Sequence, residues 1–253
     1  MLYLSQLISF SELQALISES HTGLELIDFS VGMNLDRMEE YLLQWQDTLP
    51  RLGNPPLTIH GPFLDLNPMS FEPLTASASW TRFSQAYEAA RILKADRIIF
   101  HTCRIPTVCY VEGWAERLAD FWNRFLEKHG EIPVCIENVF DESPEVLADF
   151  ASRVQAENFS LCLDTGHTNH ASKKPLTEWL DILAPWITHL HLHDNHGVID
   201  EHLAIGAGNI PWKRVYKKIA ALPRLESATI ENLNAADFRK SVDWVREKLP
   251  GVL

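Results

Sequence analysis

Short apolar segments alternate with longer segments whose apolar residues recur at helical spacing, and this alternation runs along the whole chain. Short apolar runs indicate buried strands, and spacings of three and four residues indicate helices. Regular alternation of the two favours a parallel sheet, because each helix returns the chain to the same end of the sheet. Eight such units within 253 residues predict closure into a single (β/α)8 barrel, with an open doubly wound sheet as the alternative.

The predicted elements fill the chain without a break. Strands are expected at residues 2–4, 24–29, 57–60, 97–101, 134–137, 159–164, 187–193 and 228–231. Helices are expected near residues 9–19, 36–48, 80–93, 114–128, 175–183 and 235–249, with two more opening at Pro144 and Pro211. Ser9 and Glu12 are expected to form a capping box at the start of the first helix. Since no linker or change of composition interrupts the series, we expect one domain over residues 1–253. The Pro-containing connection 61–78, followed by Ser79 as a helix cap, is a candidate lid.

Composition narrows the class of partner. The formal net charge is −12, whereas proteins that bind duplex DNA usually present a basic face. No apolar run approaches the roughly 18 residues of a membrane span, and the first residues lack the basic region of a signal peptide. The four cysteines show no CxxC spacing and fit reduced thiols. We therefore expect a cytoplasmic monomer or homodimer that acts on a small-molecule substrate, with no nucleic acid or membrane as partner.

Polar side chains stand at the C-terminal ends of six successive predicted strands. They are His60, His101, Glu137, Asp164, His191 and Glu231. A (β/α)8 barrel brings these strand ends to one rim, where the active sites of such barrels lie. A purely structural core would carry Val, Ile or Leu there, because buried acids and imidazoles are costly unless they are paired or bind a metal.

The stretch 161–212 adds further candidates. His167 follows Asp164 in a predicted Gly-containing turn, and Asp200 and His202 lie two residues apart in the loop after the seventh strand. Carboxylate oxygens and imidazole nitrogens are ligands that suit zinc or manganese. The sequence therefore predicts a divalent-metal site at this rim.

Three histidines alternate along the seventh predicted strand and therefore share one face: His189, His191 and His193. His191 stands level with the rim. His193 lies nearer the mouth and is expected to contact substrate, whereas His189 lies deeper and is expected to be structural.

Seven segments from the third strand onward carry a resemblance to a known family. They read IHGPFLDLNP, IIFHT, VCIENV, CLDTGH, HLHDN, DEHLAIGAGNI and TIENL. On this combination the chain resembles the xylose isomerase-like TIM barrels. That superfamily includes the endonuclease IV (AP endonuclease family 2) branch, sugar phosphate isomerases and epimerases, and cobamide-remodelling phosphodiesterases. The resemblance implies a single TIM barrel and a metal-dependent enzyme.

Two branches of that superfamily imply two ligand sets. In the endonuclease IV branch, nine ligands hold three zinc ions. The matching positions here are His60, His101, Glu137, Asp164, His167, His191, Asp200, His202 and Glu231. In the sugar isomerase and epimerase branch, one ion, such as manganese or cobalt, uses four of them. Those four are Glu137, Asp164, His191 and Glu231.

The net charge expected at the metal site favours the endonuclease IV ligand set. Four carboxylates, three zinc ions and one bridging hydroxide leave roughly one positive charge, which suits a phosphodiester, whereas a single ion leaves roughly two negative charges. We therefore interpret the chain as a phosphoric diester hydrolase that acts on a small molecule, such as a nucleotide-loop or cobamide-like compound, through a metal-bound hydroxide. Glu137 and Glu231 are the expected catalytic residues. The residues expected to contact substrate are His193, Phe63, Tyr110 and Trp212.

The alternative interpretation is a metal-dependent sugar or sugar-phosphate isomerase or epimerase. Glu137 and Glu231 would then shuttle a proton beside a metal-polarised carbonyl. An apurinic DNA endonuclease is disfavoured, because the chain is acidic and leaves little room for long DNA-wrapping loops.

Overall fold

The computed structural model describes residues 1–105, 107 and 109–251, which form one closed barrel of parallel strands inside a ring of helices. The strands are β1 Leu2–Ser5, β2 Gly23–Leu26, β3 Leu57–His60, β4 Arg97–His101, β5 Val134–Glu137, β6 Phe159–Asp164, β7 Ile187–Leu192 and β8 Ser227–Ile230. They pair in chain order, and β8 pairs with β1. The predicted (β/α)8 TIM barrel is confirmed.

Helices cover the outside of the barrel. They are α1 Phe10–Ser20, α2 Gly32–Leu35, α3 Met38–Arg51, α4 Pro73–Leu93, α5 Trp114–Lys128, α6 Pro144–Arg153, α7 Thr165–Ala171, α8 Leu176–Leu183, α9 Trp212–Ile219 and α10 Ala235–Lys248. Helix α10 packs on α1, so the helical ring also closes. Within the described residues, no helix combines the length and the apolar character that crossing a bilayer requires.

Strand register places polar residues of neighbouring strands side by side. His101 of β4 pairs with Glu137 of β5, and Asp164 of β6 pairs with His191 of β7. All eight strands run in one direction, so these pairs stand at the same mouth of the barrel. The register therefore gathers acids and imidazoles at this mouth before any loop contributes a residue.

Most of the apolar core lies between the barrel and the helices. Phe83 of α4, Phe100 of β4, and Trp122 and Phe125 of α5 are all fully buried there. The Phe83 and Trp122 rings stack with centroids 5.7 Å apart, and Phe125 meets Trp122 edge-on at 5.3 Å. Burying several aromatic rings in one cluster contributes much of the packing energy that fixes α4 and α5 on the barrel.

Polar side chains fill the lower interior of the barrel. Arg97 donates from Nη2 to Glu226 at 2.7 Å and from Nη1 to Thr188 at 3.2 Å, and Thr188 donates to Ser160 at 2.7 Å. Above them, the buried Ile99, Cys135 and Cys162 form a small apolar layer. This filling closes the barrel below the mouth, so the polar strand ends face a cavity that opens in one direction.

The connection after β3 is shorter than the predicted lid. Helix α4 begins at Pro73 rather than at residue 80, and the Glu72 side chain caps it by accepting a hydrogen bond from the Leu74 amide. Ser79, the predicted cap, lies inside the helix and donates to the carbonyl of Thr75. The first turns of α4 carry small, polar and exposed residues, so no apolar period marked them as helical.

Three smaller predictions were also wrong. Strand β2 ends at Leu26, and Asp28 begins a 3₁₀ turn that closes at Ser30. The segment that follows Asp164 is the short helix α7 rather than a turn. At α1, Ser9 donates to the Glu12 carboxylate at 2.5 Å, so the expected capping of the backbone by Ser9 does not form.

The aromatic cluster yields a stability prediction. Replacing Phe125 with Ala leaves a cavity among rings from β4, α4 and α5, so we expect a loss of about 3–5 kcal/mol in the free energy of unfolding. Denaturant unfolding of both proteins measures the difference. Phe71→Ala is the matched control, because Phe71 is 71% exposed and its removal should cost under about 1 kcal/mol. Equal losses for the two variants would contradict the assignment of this cluster as core.

Candidate metal centre

All nine side chains that the sequence suggested as ligands meet at the C-terminal mouth of the barrel. Strand ends supply six of them, helix α7 supplies His167, and the loop after β7 supplies Asp200 and His202. Seven of the nine residues are buried, and Asp200 and His202 are half-buried. By their distances from one another they form three groups. Two of the groups share Glu137, and the third lies beside it.

The first group, here called the histidine group, contains His60, His101 and Glu137. The Nε2 atoms of the two imidazoles lie 3.2 Å apart. Both nitrogens lie close to one carboxylate oxygen, because Glu137 Oε2 is 3.4 Å from His60 Nε2 and 3.5 Å from His101 Nε2. Two nitrogens and one oxygen thus converge on a common point.

The second group, here called the central group, contains His191, Glu137, Glu231 and Asp164. The Nδ1 atom of His191 lies 3.2 Å from Glu137 Oε1, 3.3 Å from Glu231 Oε1 and 3.9 Å from Asp164 Oδ2. Glu137 therefore directs one oxygen toward this group and the other toward the histidine group. Such a carboxylate has the position of a bridge between two ions.

The third group, here called the loop group, contains His167, Asp200 and His202. His167 Nε2 lies 3.3 Å and His202 Nε2 lies 3.0 Å from the same oxygen, Asp200 Oδ2. His193 lies against this group, because its ring stacks on that of His202 with centroids 4.2 Å apart. Its Nε2 atom lies 3.2 Å from Asp164 Oδ2, so His193 joins the loop group to the central group.

Backbone carbonyls orient three of the imidazoles. His60 Nδ1 lies 2.9 Å from the carbonyl of Gly61, His167 Nδ1 lies 3.0 Å from that of Asn138, and His202 Nδ1 lies 3.1 Å from that of Glu231. A carbonyl only accepts, so each Nδ1 carries the proton and donates. In the neutral ring each Nε2 then directs its lone pair into the groups described above, which is the arrangement typical of metal-binding histidines.

Glu25 of β2 is a member of the site that sequence reasoning missed. It is fully buried, and its Oε1 atom lies 3.4 Å from His191 Nε2, the nitrogen that faces away from the central group. Thr58 and Thr229 donate to its other oxygen at 3.0 and 2.7 Å. Carboxylates in this position fix the ring and tautomer of a metal-binding histidine. The signal was an acid inside an otherwise apolar strand, but the strand was predicted to run to residue 29, so Glu25 did not stand at the predicted strand end.

Mutual charge decides the protonation of these groups. Burial raises the pKa of Glu137, but the charges of His191 and His101 outweigh burial and hold that pKa well below its ordinary value. Burial lowers the pKa of His202, but its hydrogen bond to Asp200 and the charge of Glu231 raise that pKa to about 9. Glu137 is therefore ionised and needs positive charge beside it, which protons or divalent cations can supply.

Several buried atoms of the site lack a hydrogen-bond partner among the described residues. They are both carboxylate oxygens of Glu137, both ring nitrogens of His191, Nδ1 of His193 and Oδ1 of Asp200. Buried polar groups are normally paired, so a cluster of exceptions needs an explanation. Oxygen and nitrogen donors that converge without hydrogen bonding one another fit divalent cations.

The loop that carries Asp200 and His202 is anchored by Asp194. Its carboxylate accepts from the Trp212 indole at 2.7 Å and from the amides of Gly206 and Ile210 at 3.0 and 3.2 Å. His202 itself has a φ of 52°, a left-handed conformation that is costly for a residue with a side chain. The anchored loop holds this conformation, which turns the imidazole toward Asp200.

Close packing explains the glycine of the DTGH segment. A Cβ atom on Gly166 would lie 1.9 Å from the His193 ring. The ring of His193 therefore occupies the space that any other residue at position 166 would need. This contact lets α7 begin directly at the strand end and bring His167 to the site.

Of the four residues expected to contact substrate, one lines the cavity above the metal centre and three do not. Phe63 stacks on His101 with centroids 4.4 Å apart and lines a cavity of about 700 Å³ above the three groups. His193 is fully buried among the ligands and does not line this cavity. Tyr110 is exposed on the outer rim beside Phe71, and Trp212 is buried against Trp244 while it donates to Asp194. His193, Tyr110 and Trp212 therefore have contacts outside the cavity.

His189 is a satisfied core histidine, as its depth predicted. Nδ1 lies 2.7 Å from the Ser227 hydroxyl and Nε2 lies 3.0 Å from the Thr229 hydroxyl, so both ring nitrogens have partners. Burial lowers its pKa to about 3, so the ring is neutral.

The position of Glu25 yields a prediction about metal affinity. Glu25→Gln keeps the shape of the side chain but removes the charge that orients His191, so we expect roughly 10–100-fold weaker binding of zinc. Competition with a chromogenic chelator measures the affinity, and circular dichroism checks the fold. Glu12→Gln, a change of an exposed glutamate on α1, should leave the affinity unchanged. Unaltered affinity in Glu25→Gln would show that Glu25 does not support the site.

Comparison with known proteins places these observations in a family. The family model described as "Xylose isomerase-like TIM barrel" matches residues 20–248. The uncharacterized protein MJ1311 of Methanocaldococcus jannaschii is 29% identical over 209 residues, which cover 76% of this chain and 70% of that protein.

Two solved structures share the whole fold. A D-tagatose 3-epimerase-like protein is 26% identical, with a TM-score of 0.79 and coverage of 99% of this chain and 97% of that one. The TTHB071 protein from Thermus thermophilus, soaked with ZnCl2, is 22% identical, with a TM-score of 0.76 and coverage of 98% and 97%. With the match of the family model over most of its length, this chain belongs to the xylose isomerase-like TIM barrel family.

Proposed function

We propose that this protein is a divalent-metal-dependent phosphoric diester hydrolase that acts on a small molecule. One observation carries the proposal: donors converge in three groups, and two imidazoles of the histidine group and all three residues of the loop group are additional to the four residues that a single ion needs. Imidazoles in both of these groups have a nitrogen already oriented by a backbone carbonyl. Sites with several ions are typical of enzymes that cleave phosphate esters.

The residues that would hold the ions follow from the distances. By their side-chain distances the histidine group, the central group and the loop group each offer at least three donors, with Glu137 contributing an oxygen to each of the first two. Nitrogen and carboxylate donors suit zinc. Bound ions of this kind polarise a phosphoryl oxygen and lower the pKa of a coordinated water.

The walls of the cavity define what can reach these groups. Phe63, Leu64, Ile105 and Phe140 line it, together with Val139. Apolar walls hold an apolar part of a substrate and exclude water from the reacting phosphate. Four carboxylates at the floor repel an anionic substrate unless cations balance them, so the proposed reaction depends on full loading of the site.

A sugar isomerase or epimerase is the second candidate, and the comparisons favour it over the hydrolase. The D-tagatose 3-epimerase-like protein is similar to this chain over nearly its whole length. Glu137 and Glu231 also flank the same atom, His191 Nδ1, at 3.2 and 3.3 Å, as a pair of proton-transferring carboxylates would. Burial raises the pKa of Glu231 although the charges of His191 and His202 lower it, which suits a carboxylate that accepts a proton.

Counting ions separates the two candidates. For protein purified without chelator and saturated with zinc, the hydrolase predicts about three ions per chain by elemental analysis. Asp200→Asn should lower the count to about two, because it disrupts the loop group alone. Asp47→Asn, a change on the exposed face of α3, is the control and should leave the count unchanged. A count of about one in the native protein, unaltered by Asp200→Asn, supports the isomerase.

Activity provides the direct test. We expect the zinc-loaded protein to hydrolyse bis(4-nitrophenyl) phosphate, with release of 4-nitrophenol as the readout. Glu137→Gln removes the shared ligand of two groups, so its rate should fall by more than the roughly 100-fold typical of a change in a residue that only supports a ligand. Full activity of Glu137→Gln would contradict the proposed mechanism. Epimerisation of ketoses without hydrolysis of the diester would establish the second candidate.

A further inference from the structure

The cavity above the metal centre contains a cation that neither candidate reaction has used. Arg104 lies in the loop after β4, three residues beyond His101, and lines the cavity. Among the described residues that line it, Arg104 is the sole Lys or Arg. It is 8% exposed, so the structure buries a guanidinium in a largely apolar wall.

The buried Arg104 guanidinium keeps an unpaired donor. Its Nε atom is buried and has no hydrogen-bond partner among the described residues. Its Cζ atom lies 5.7 Å from the centroid of the Trp114 ring, a contact that supports a cation without satisfying its N–H donors. Burying a charge with an unpaired donor is costly, and this cost is typical of a site that a ligand completes.

The two acids that sense the charge of Arg104 are bound elsewhere, and one of them, Glu142, pairs with Lys173 at 2.5 Å. Asp141 of the loop after β5 senses the charge of Arg104. Its Oδ2 atom, however, accepts from the Thr102 hydroxyl at 2.8 Å and from the Val139 amide at 3.2 Å. Thr102 Oγ1 in turn accepts from the Arg104 amide at 3.4 Å, so these bonds position the Arg104 backbone rather than its guanidinium.

We propose that Arg104 is the anion-binding residue of the cavity and that it binds a phosphoryl group of the substrate. The planar fork of a guanidinium matches two phosphate oxygens, and the apolar wall around it strengthens the pairing because water is excluded. The site therefore selects substrates that place a phosphate at Arg104 and an apolar part against Phe63 and Phe140. This assignment of substrate class rests on the proposed hydrolase function.

A binding measurement tests the inference without turnover. Isothermal titration of inorganic phosphate into the zinc-loaded protein is expected to show at least tenfold weaker binding for Arg104→Gln than for the native chain. Trimethyl phosphate, which is neutral, should bind both proteins equally. Arg117→Gln is the matched control, because Arg117 lies on the same side of the barrel but donates to the carbonyls of Tyr110 and Glu112. Equal phosphate affinity in Arg104→Gln and the native protein would overturn the inference, as would an absence of phosphate binding.

Two further measurements keep the test decisive. Should Arg104→Gln fail to fold, Arg104→Lys retains the charge and loses the fork, and we expect severalfold weaker phosphate binding from it. Unchanged phosphate affinity in Arg104→Lys would refute the assignment.

Hydrolysis of bis(4-nitrophenyl) phosphate by the same proteins separates the proposal of a hydrolase from the proposal of an anion site at Arg104. Phosphate binding that depends on Arg104 without hydrolysis would reject the hydrolase and keep Arg104 as the anion site. Hydrolysis together with phosphate binding that does not depend on Arg104 would keep the hydrolase and reject Arg104 as the anion site.

Discussion

The rest of the structure depends on one electrostatic constraint: five carboxylates and several imidazoles are crowded, mostly buried, into one end of the barrel. Glu137 alone lies within 3.5 Å of four imidazole nitrogens. Ionised acids in such a place are stable only if positive charge stands beside them. Without metal, raised pKa values at His167 and His202 provide that charge as protons. Divalent cations provide it at higher density and satisfy more of the unpaired oxygens and nitrogens.

The scaffold around these groups is built to hold them in one orientation. Backbone carbonyls bind the outer nitrogens of His60, His167 and His202, and Glu25 faces the outer nitrogen of His191. Asp194 anchors the loop of Asp200 and His202 through three hydrogen bonds. Fixed orientation matters because it removes the entropy that free side chains would lose on binding an ion.

The two candidate reactions use the same floor of the cavity and differ in what lies around it. An isomerase requires the central group, which is complete. The histidine group, the loop group and the Arg104 guanidinium surround it, and each is suited to phosphate oxygens or to the ions that bind them. The similarity to the D-tagatose 3-epimerase-like protein is one of sequence and overall fold. The proposal of a hydrolase rests instead on the histidine group and the loop group.

Much of the fold could be predicted from local pattern. Strands β3, β4 and β5 and helix α5 have the predicted bounds, because each is a clear apolar run or a regular amphipathic repeat between turn residues. Elements with weaker patterns were misjudged. The polar first turns of α4 lacked an apolar period, and β2 was extended past Leu26 because the apolar Ile27 and Phe29 continue its run into the 3₁₀ turn.

The sequence by itself determined the barrel and the nine polar positions, since the ends of parallel strands must meet at one mouth whatever the detailed packing. Tertiary structure alone decided which atoms face one another. It divided the donors into three groups, drew Glu25 up to His191, and turned Trp212 toward Asp194 and away from the cavity. It also left the Arg104 guanidinium buried in the cavity wall. These outcomes depend on side-chain directions and on contacts between residues far apart in the chain, and local spacing carries no information about either.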